Sequence, residues 1–389
     1  MIKRILTFAI ILCVFSTAAY AGDVKSKFDI SLYGFVKFEA IYDQTEIAKG
    51  DWALYAHPDG SAQSEQDVMT MNARHSRIGI KIAGPEFGEN KVNGLVEMDF
   101  AGSFPNSGTA ARQPIPRLRH AWVEIVNPFW EARFGQDWAL VSGPFPNTTS
   151  FVVGAGKGNL WMRYPQMKFT IKPDNFKIAV SLNRPMAGNI KYNEFDGGSF
   201  DMVGDGERTG LPWLMGRVDY SPSKNFTASL SGHYGQEQIE AINELPIDKP
   251  TYSVNADVVL KTGNFSITAS GFYGENLNSF FGGIFQGFIR PDDSSVENVK
   301  ALGGWGQIKY QFTKKWSSTL GGGADIPDEE TLLEGGDMRT KNTFGFLNFA
   351  YSPVDPLIFM LEGEYLKTEY QQSDAGSNVR IQFVTYYKF

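Results

Sequence analysis

The stretch FDISLYGFVKFEAIY (residues 28–42) has the alternation that decides the fold. A repeat of two residues places successive side chains on opposite faces of a β-strand. One face carries Phe28, Ile30, Leu32, Gly34, Val36, Phe38, Ala40 and Tyr42, and the other carries Asp29, Ser31, Tyr33, Lys37 and Glu39. The stretch therefore predicts a strand with one apolar face and one mainly polar face.

The same period returns along the whole chain in segments of about ten residues. It is clear in KVNGLVEMDF (91–100), in residues 176–183, in 211–220 and in 252–258. Aromatic residues make up 14% of the chain and glycine occurs 41 times, which suits strands and turns better than helices. The sequence thus predicts an all-β fold.

Connection lengths separate two architectures that share this pattern. A soluble sandwich would pack the apolar faces together, whereas a transmembrane barrel would turn them to lipid around a water-filled interior. Short turns are expected near 84–90, 127–130, 172–175, 221–225, 261–264, 313–315 and 352–356, with a long connection on either side of each. This alternation is typical of a barrel with short periplasmic turns and long extracellular loops. Eight long loops and seven short turns predict a sixteen-stranded antiparallel transmembrane β-barrel.

The first residues have the features of a secretory signal peptide. Lys3 and Arg4 precede an apolar run over 5–15, and Ala19-Tyr20-Ala21 is an A-x-A cleavage site. We therefore expect a signal peptide over 1–21, a barrel over 22–389, and a location in the outer membrane of a Gram-negative cell. Cys13 is the only cysteine, so the mature chain would have neither disulfides nor a thiolate metal site.

Charge and motifs argue against several functions. The net charge of −7 becomes −9 once Lys3 and Arg4 are removed (−7 − 2 = −9), which disfavours nucleic acid as a partner. No HExxH, GxSxG or P-loop pattern occurs, so we expect no metal, no cofactor and no enzymatic activity. A barrel enzyme of the phospholipase or protease type remains an alternative, although His75, His120 and His233 fall on different strands.

The chain ends on IQFVTYYKF (381–389), which alternates like the other strands. We expect it to be the last strand, which pairs with the first to close the barrel. Tyr387 and the terminal Phe389 resemble the insertion signal of bacterial outer-membrane barrels, which implies contact with the barrel-assembly machinery during insertion. The alternative is an ordinary hydrophobic strand that happens to end the chain.

Several phrases together resemble the DcaP-like porins of Gram-negative outer membranes. In chain order they are SLYGFVKFEAIYD, NARHSRIGIKIAG, GLVEMDF, RLRHAWVEI, RFGQDW, RYPQMKFT and VTYYKF. The resemblance implies a sixteen-stranded homotrimer that passes small hydrophilic, often anionic, solutes such as dicarboxylates. It also implies that the third long loop folds inward as a constriction. By counting, that loop spans about 138–160 and includes Trp138, Phe145, Phe151 and Lys157; a surface loop over the mouth is the alternative.

Charged residues on the polar phase of the strands are expected to line the pore. The basic set is Lys37, Arg77, Lys81, Arg119, Arg133 and Arg217, and the acidic set is Glu39, Glu97, Asp99 and Asp137. Arginines inside a pore attract anions and repel cations. Because acidic and basic residues are nearly balanced along the whole wall, only local clustering favours anions, and anion preference is a hypothesis.

The facing of strand four, RLRHAWVEI (117–125), stays open at this point. One phase turns Arg117 and Arg119 toward lipid, and the opposite phase exposes Glu124 to lipid. An alternative function is a sugar-specific channel that uses Trp138, Trp161 and Trp213 as an aromatic slide. The acidic stretches 194–207 and 325–338 predict solvated outer loops, bridged to lipopolysaccharide through divalent cations. A calcium site formed by the clustered carboxylates is the alternative, although neither stretch has the EF-hand spacing.

Overall fold

A computed structural model describes residues 28–102, 114–186, 205–239, 246–292 and 295–389. The expected signal peptide (1–21) and most of the acidic stretch 194–207 lie outside the described residues. The other acidic stretch begins inside the barrel, because Asp325 is fully buried on a strand that continues to Pro327.

One closed antiparallel sheet contains seventeen hydrogen-bonded segments, two of which are halves of a single strand. The sixteen strands are β1 (Asp29–Asp43), β2 (Val68–Asn72 and Arg77–Phe87), β3 (Asn90–Gly102), β4 (Ile115–Val126), β5 (Trp130–Trp138), β6 (Arg163–Ile171), β7 (Phe176–Asn183), β8 (Trp213–Ser223), β9 (Phe226–Ile239), β10 (Ile247–Thr262), β11 (Phe265–Glu275), β12 (Lys300–Gln311), β13 (Trp316–Pro327), β14 (Arg339–Val354), β15 (Leu357–Tyr370) and β16 (Gly376–Lys388). Each strand pairs with the next in the chain. The predicted sixteen-stranded antiparallel barrel is confirmed.

Helical structure is confined to connections. The helix α1 spans Asp205–Arg208, and single 3-10 turns occur at Gly50–Trp52, Asn278–Phe280, Gly283–Phe285 and Glu329–Thr331. Two short strands, Phe288–Ile289 and Glu297–Asn298, pair with each other inside one long loop. Among the residues that the structure describes, no helix has the length and apolar character needed to cross a membrane.

The last strand closes the barrel on the first. β16 pairs antiparallel with β1, from Phe35 opposite Lys388 to Asp43 opposite Arg380. Gly34 and the terminal Phe389 exchange two backbone hydrogen bonds of 3.0 and 3.1 Å. Closure leaves no unpaired sheet edge, which a hydrocarbon environment could not satisfy.

The two faces of the wall differ as the alternation predicts. Leu32, Leu230 and Leu320 are 58%, 58% and 61% exposed on the outer face. Lys37 and Asp99, in contrast, are almost fully buried inside. A continuous exposed apolar surface of this kind indicates contact with lipid.

Two one-residue irregularities change which side chains face inward. Arg119 is an extra residue between the pairs His120 with Glu97 and Leu118 with Met98. Such a β-bulge leaves one residue unpaired and shifts the alternation. Arg117, Arg119 and His120 therefore all lie on the inner side while Leu118 is 48% exposed outside. Neither single-phase interpretation of strand four is right, since both assume an unbroken period of two.

The second irregularity divides β2 at residues 73–76. The first half of β2 pairs with Glu39–Asp43 and the second half with Asp29–Phe35, so four residues of β2 face three of β1. The hydroxyl of Ser76 accepts a hydrogen bond of 2.9 Å from the backbone N–H of Lys37 and fills the gap. This break directs His75 into the barrel, where it is buried.

Candidate pore and its basic wall

Three long loops fold into the barrel: L1 (44–67), L3 (139–162) and the described part of L6 (276–292 and 295–299). They share one apolar cluster, in which the buried members are Ala48 and Leu54 of L1 with Val152, Ala155 and Trp161 of L3; Phe281 and Phe285 of L6 pack against it. The sequence predicted the inward course only for L3. L1 and L6 are further inward loops, and they narrow the lumen together with L3.

L3 is held by two buried carboxylates on β15. Glu362 accepts hydrogen bonds from the backbone N–H of Thr149 at 3.0 Å and from its hydroxyl at 2.8 Å. The ammonium of Lys157 lies 2.8 Å from Glu364, and both side chains are almost fully buried. Lys157 therefore faces the wall, and its charge is neutralised there rather than presented to a solute.

L1 is held by an ion pair that joins the first and last strands. Arg380 donates two hydrogen bonds of 2.8 Å to Asp43, and its Nη2 donates a further bond of 2.8 Å to the carbonyl of Gly50. Arg74 binds Asp51 on the other side of the same turn. These contacts carry the Gly50–Trp52 turn across the lumen toward L3.

A cluster of Glu39, Asp51 and His75 brings three possible metal ligands within 4.8 Å of one another. Lys37 lies 2.7 Å from Glu39, and Asp51 is bound by Arg74. Because both carboxylates already have a cationic partner, the arrangement is that of an ion-pair network. The imidazole of His75 also stacks on Phe151 at 3.7 Å, which connects this network to L3.

The inner wall formed by β2 to β4 carries closely spaced guanidinium groups. Arg117 binds Asp99 through two hydrogen bonds of 3.1 and 2.8 Å. Arg119 bridges both carboxylates, at 2.8 Å from Glu97 and 2.8 Å from Asp99. The bulge thus allows two sequential arginines to share one carboxylate. Arg77 completes the group at 3.4 Å from Glu97.

Arg163 at the start of β6 belongs to the same wall, although the sequence analysis did not identify it. Its guanidinium lies 4.6 Å from the ring centre of Trp138, a favourable cation–π distance. Its nearest charges include those of Arg119 and Arg117, and its Nη1 is buried without a hydrogen-bond partner. Sequence reasoning missed Arg163 because it is the first residue of a short strand. No alternating residues before it show whether its side chain faces the lumen or lipid.

A second ionic group lies on β4 to β6, nearer the short turns. Arg133 binds both Glu124 and Asp137. Lys168 lies 2.7 Å from Asp137, and His120 lies 3.1 Å from the same carboxylate. Two basic side chains and two carboxylates balance here, so the group contributes little net charge.

The remaining site residues from the sequence are placed as follows. Lys37 and Glu39 pair inside the barrel, and Arg217 binds Asp219 and Asp257. Lys81 is exposed, and its ammonium lies 4.7 Å from the ring centre of Tyr33. The ring centres of Trp138 and Phe145 are 4.9 Å apart, and Tyr387 and Phe389 are exposed outside. The structure therefore brings Arg77, Arg119, Glu97 and Asp99 into one group and keeps Lys81 and Arg217 apart from it.

Comparison with known proteins agrees with this architecture. The family model for Gram-negative porins matches residues 8–378. The chain belongs to the Gram-negative porin family. It is an outer-membrane channel, and its predicted relation to DcaP-like porins is confirmed. A search of curated proteins finds no matching sequence.

Solved structures of other outer-membrane proteins show the same fold. The outer membrane channel DcaP of Acinetobacter baumannii is 22% identical with a TM-score of 0.76, and the match covers 94% of this chain and 99% of that chain. The anion-selective porin from Comamonas acidovorans is 13% identical with a TM-score of 0.59, covering 93% and 100%. OmpT of Vibrio cholerae in its trimer form is 11% identical with a TM-score of 0.57, covering 94% and 100%.

Proposed function

We propose that this porin is a passive diffusion channel for small hydrophilic solutes that prefers anions, dicarboxylates among them. The observation that carries the proposal is the charge of the wall around Glu97 and Asp99. Arg77, Arg117 and Arg119 pair with these two carboxylates and Arg163 lies on the same wall, which leaves a local charge of +2 (4 − 2 = +2). Such an excess inside a narrow, water-filled passage favours anions.

The basic side chains of this wall are more exposed to the lumen than the acidic ones, which strengthens the effect of the positive charge on a solute. The side chains of Arg77 and Arg117 are 29% and 27% exposed, whereas those of Glu97 and Asp99 are 7% and 1% exposed. The carboxylates lie behind the guanidinium groups and hold them in position. A solute in the lumen therefore meets the cationic groups first.

The other two candidate functions have less support. An aromatic slide for sugars would need its three tryptophans accessible, but Trp161 is 4% exposed and Trp213 is fully buried. For an enzyme, the three candidate histidines lie in separate networks: His75 with Glu39, His120 with Asp137, and His233 with Ser253 and Thr251. The geometry favours a channel without catalysis.

The oligomeric state and the processing of the chain belong to the same proposal. We infer a homotrimer in lipid and lipopolysaccharide, reached after removal of residues 1–21 and insertion by the barrel-assembly machinery. The family resemblance and the trimer form of the Vibrio cholerae relative support the trimer. Chemical cross-linking of the protein in outer-membrane vesicles tests it, and mass spectrometry of the mature N-terminus tests the cleavage.

Reversal potentials across planar bilayers in a steep KCl gradient test the selectivity. We expect a preference for chloride over potassium, and a clear potassium preference would reject the proposal. Liposome swelling then separates an anion channel from a sugar channel. Dicarboxylates should enter faster than neutral sugars of similar size.

A further inference from the structure

L6 lies inside the long-loop end of the barrel and packs against the wall that β6, β8 and β9 form. Phe280 is fully buried against inward-facing side chains of three other strands. Its ring centre lies 5.5 Å from that of Tyr164, 5.9 Å from that of Trp213 and 4.4 Å from that of His233. This part of L6 therefore fills the lumen next to β6, β8 and β9.

The following residues of L6 fill the space next to L3 and β14. The carbonyl of Phe281 accepts a hydrogen bond of 2.8 Å from the backbone N–H of Gly156 in L3. Gln286 and Arg339 exchange two hydrogen bonds of 2.8 and 2.9 Å, and Ile284 between these contacts is fully buried. L6 thus runs from its contacts with β6, β8 and β9 to its contacts with β14.

The backbone of this segment is strained. Eight non-glycine residues of the described chain have a positive φ, and four of them are Asn276, Phe281, Ile284 and Phe285 in L6. Residues with a Cβ rarely adopt a positive φ, and this backbone conformation persists only where the surrounding structure enforces it. L6 therefore needs contacts that hold it in the lumen.

Glu237 on β9 provides such contacts at the start of L6. Its carboxylate accepts a hydrogen bond of 3.0 Å from the amide of Asn276 and one of 3.1 Å from the hydroxyl of Ser279. The side chain is fully buried, and a buried carboxylate is stable only when its oxygens are hydrogen-bonded. Bonds to an ionised acceptor are also the stronger kind.

We propose that L6 is a plug held in the lumen by the positioning residue Glu237, and that the plug closes the part of the channel between β6 and β14. The plug confines solutes to the path along Arg77, Arg117 and Arg119. Release of L6 opens a second path without these arginines. The plug therefore sets both the size limit of the channel and the fraction of solutes that meet the basic wall.

Glu237→Ala tests the proposal in single-channel recordings of the full-length protein. Because the plug fills part of the lumen, its release should widen the water-filled path and raise the single-channel conductance. Larger neutral oligosaccharides should then enter liposomes. If the folded variant keeps the conductance and size limit of the unchanged protein, the proposal is wrong.

An engineered disulfide provides the matched control. A Cβ at Gly283 would lie 3.8 Å from the Cβ of Ala301, the usual separation across a disulfide of about 3.8 Å. The φ of Gly283 is +62°, a strained value for cysteine that Phe281, Ile284 and Phe285 of the same loop already adopt. Cys13 in the expected signal peptide is the only natural cysteine, so no other thiol of the mature chain competes. In the Glu237→Ala background, Gly283→Cys with Ala301→Cys should restore the original conductance when oxidised and lose it on reduction. Equal conductance in both states would contradict the proposal.

A further variant keeps the test decisive if Glu237→Ala does not fold. Phe280→Ala removes the fully buried ring by which L6 packs against β6, β8 and β9, and it should likewise loosen the plug. We expect the same rise in conductance, and an unchanged value would reject the plug. These experiments measure channel size and not ion selectivity. A channel without anion preference would therefore overturn the proposed function, but the test of the plug would still be valid.

Discussion

The ammonium of Lys157 lies 2.8 Å from the carboxylate of Glu364, although the two residues are 207 positions apart in the chain. Neither side chain is more than 2% exposed, and the ammonium also lies 5.0 Å from the ring centre of Phe344. Ion pairs that are this deeply buried stabilise a fold only when both partners are present. This contact and the bonds of Glu362 join L3 to β15.

Glu364→Gln should destabilise the barrel, because it leaves the Lys157 ammonium buried without a counter-charge. Removal of one partner of a buried pair costs about 3–5 kcal/mol. The free energy of unfolding in detergent measures this loss. Glu369→Gln is the matched control, because Glu369 pairs with Lys367 at the surface and should change nothing measurable. Equal stability of the two variants would contradict the role of the buried pair.

Arg163→Gln should weaken the preference for chloride. Arg163 is held by Trp138 and carries the charge least offset by carboxylates. A unit charge about 6 Å from a permeating ion contributes about 0.7 kcal/mol in water, which corresponds to about a threefold change in permeability ratio. Lys367→Gln removes the same charge from the outside of β15 and should leave the reversal potential unchanged. If both variants shift it equally, overall charge and not this wall sets selectivity.

Deletion of Leu118 should impair folding. Without Leu118, either Arg117 or Arg119 takes the outward position opposite Met98 and faces lipid. An arginine on the lipid face costs about 2–4 kcal/mol at the membrane centre and less near the rim. The folded fraction, read as the heat-modifiable band on a gel, should fall. Leu118→Ala keeps the bulge and should fold almost normally, so equal losses would show that the bulge has no special role.

Phe389→Ala should lower the amount of assembled protein in the outer membrane, because we interpret the terminal aromatic as part of the insertion signal. Its side chain is 48% exposed and its backbone pairs with Gly34, so the folded barrel needs little from the ring itself. Phe312→Ala removes a ring of similar exposure, 52%, elsewhere on the barrel. Normal assembly of the Phe389 variant in cells would leave an ordinary final strand as the better explanation.

The architecture follows from local patterns that the chain carries in every segment. A period of two assigns each side chain to lipid or lumen, and the alternation of short and long connections orders the strands. Lys37, Glu97 and Asp99 were placed on the inner face for this reason, and they lie there. Slipping a strand by one residue would expose such charges to lipid, so register is strongly specified.

The shape of the passage depends on contacts between residues that are distant in the chain. L1 and L6 enter the lumen because Arg380 and Glu237 bind them from the wall, and no periodicity marks either contact. The bulge at Arg119 is likewise invisible to an alternating pattern, since it appears only when β4 pairs with β3. Each strand by itself determines which of its side chains face lipid and which face water. The positions of the inward loops and the grouping of the arginines depend on contacts that exist only in the closed barrel.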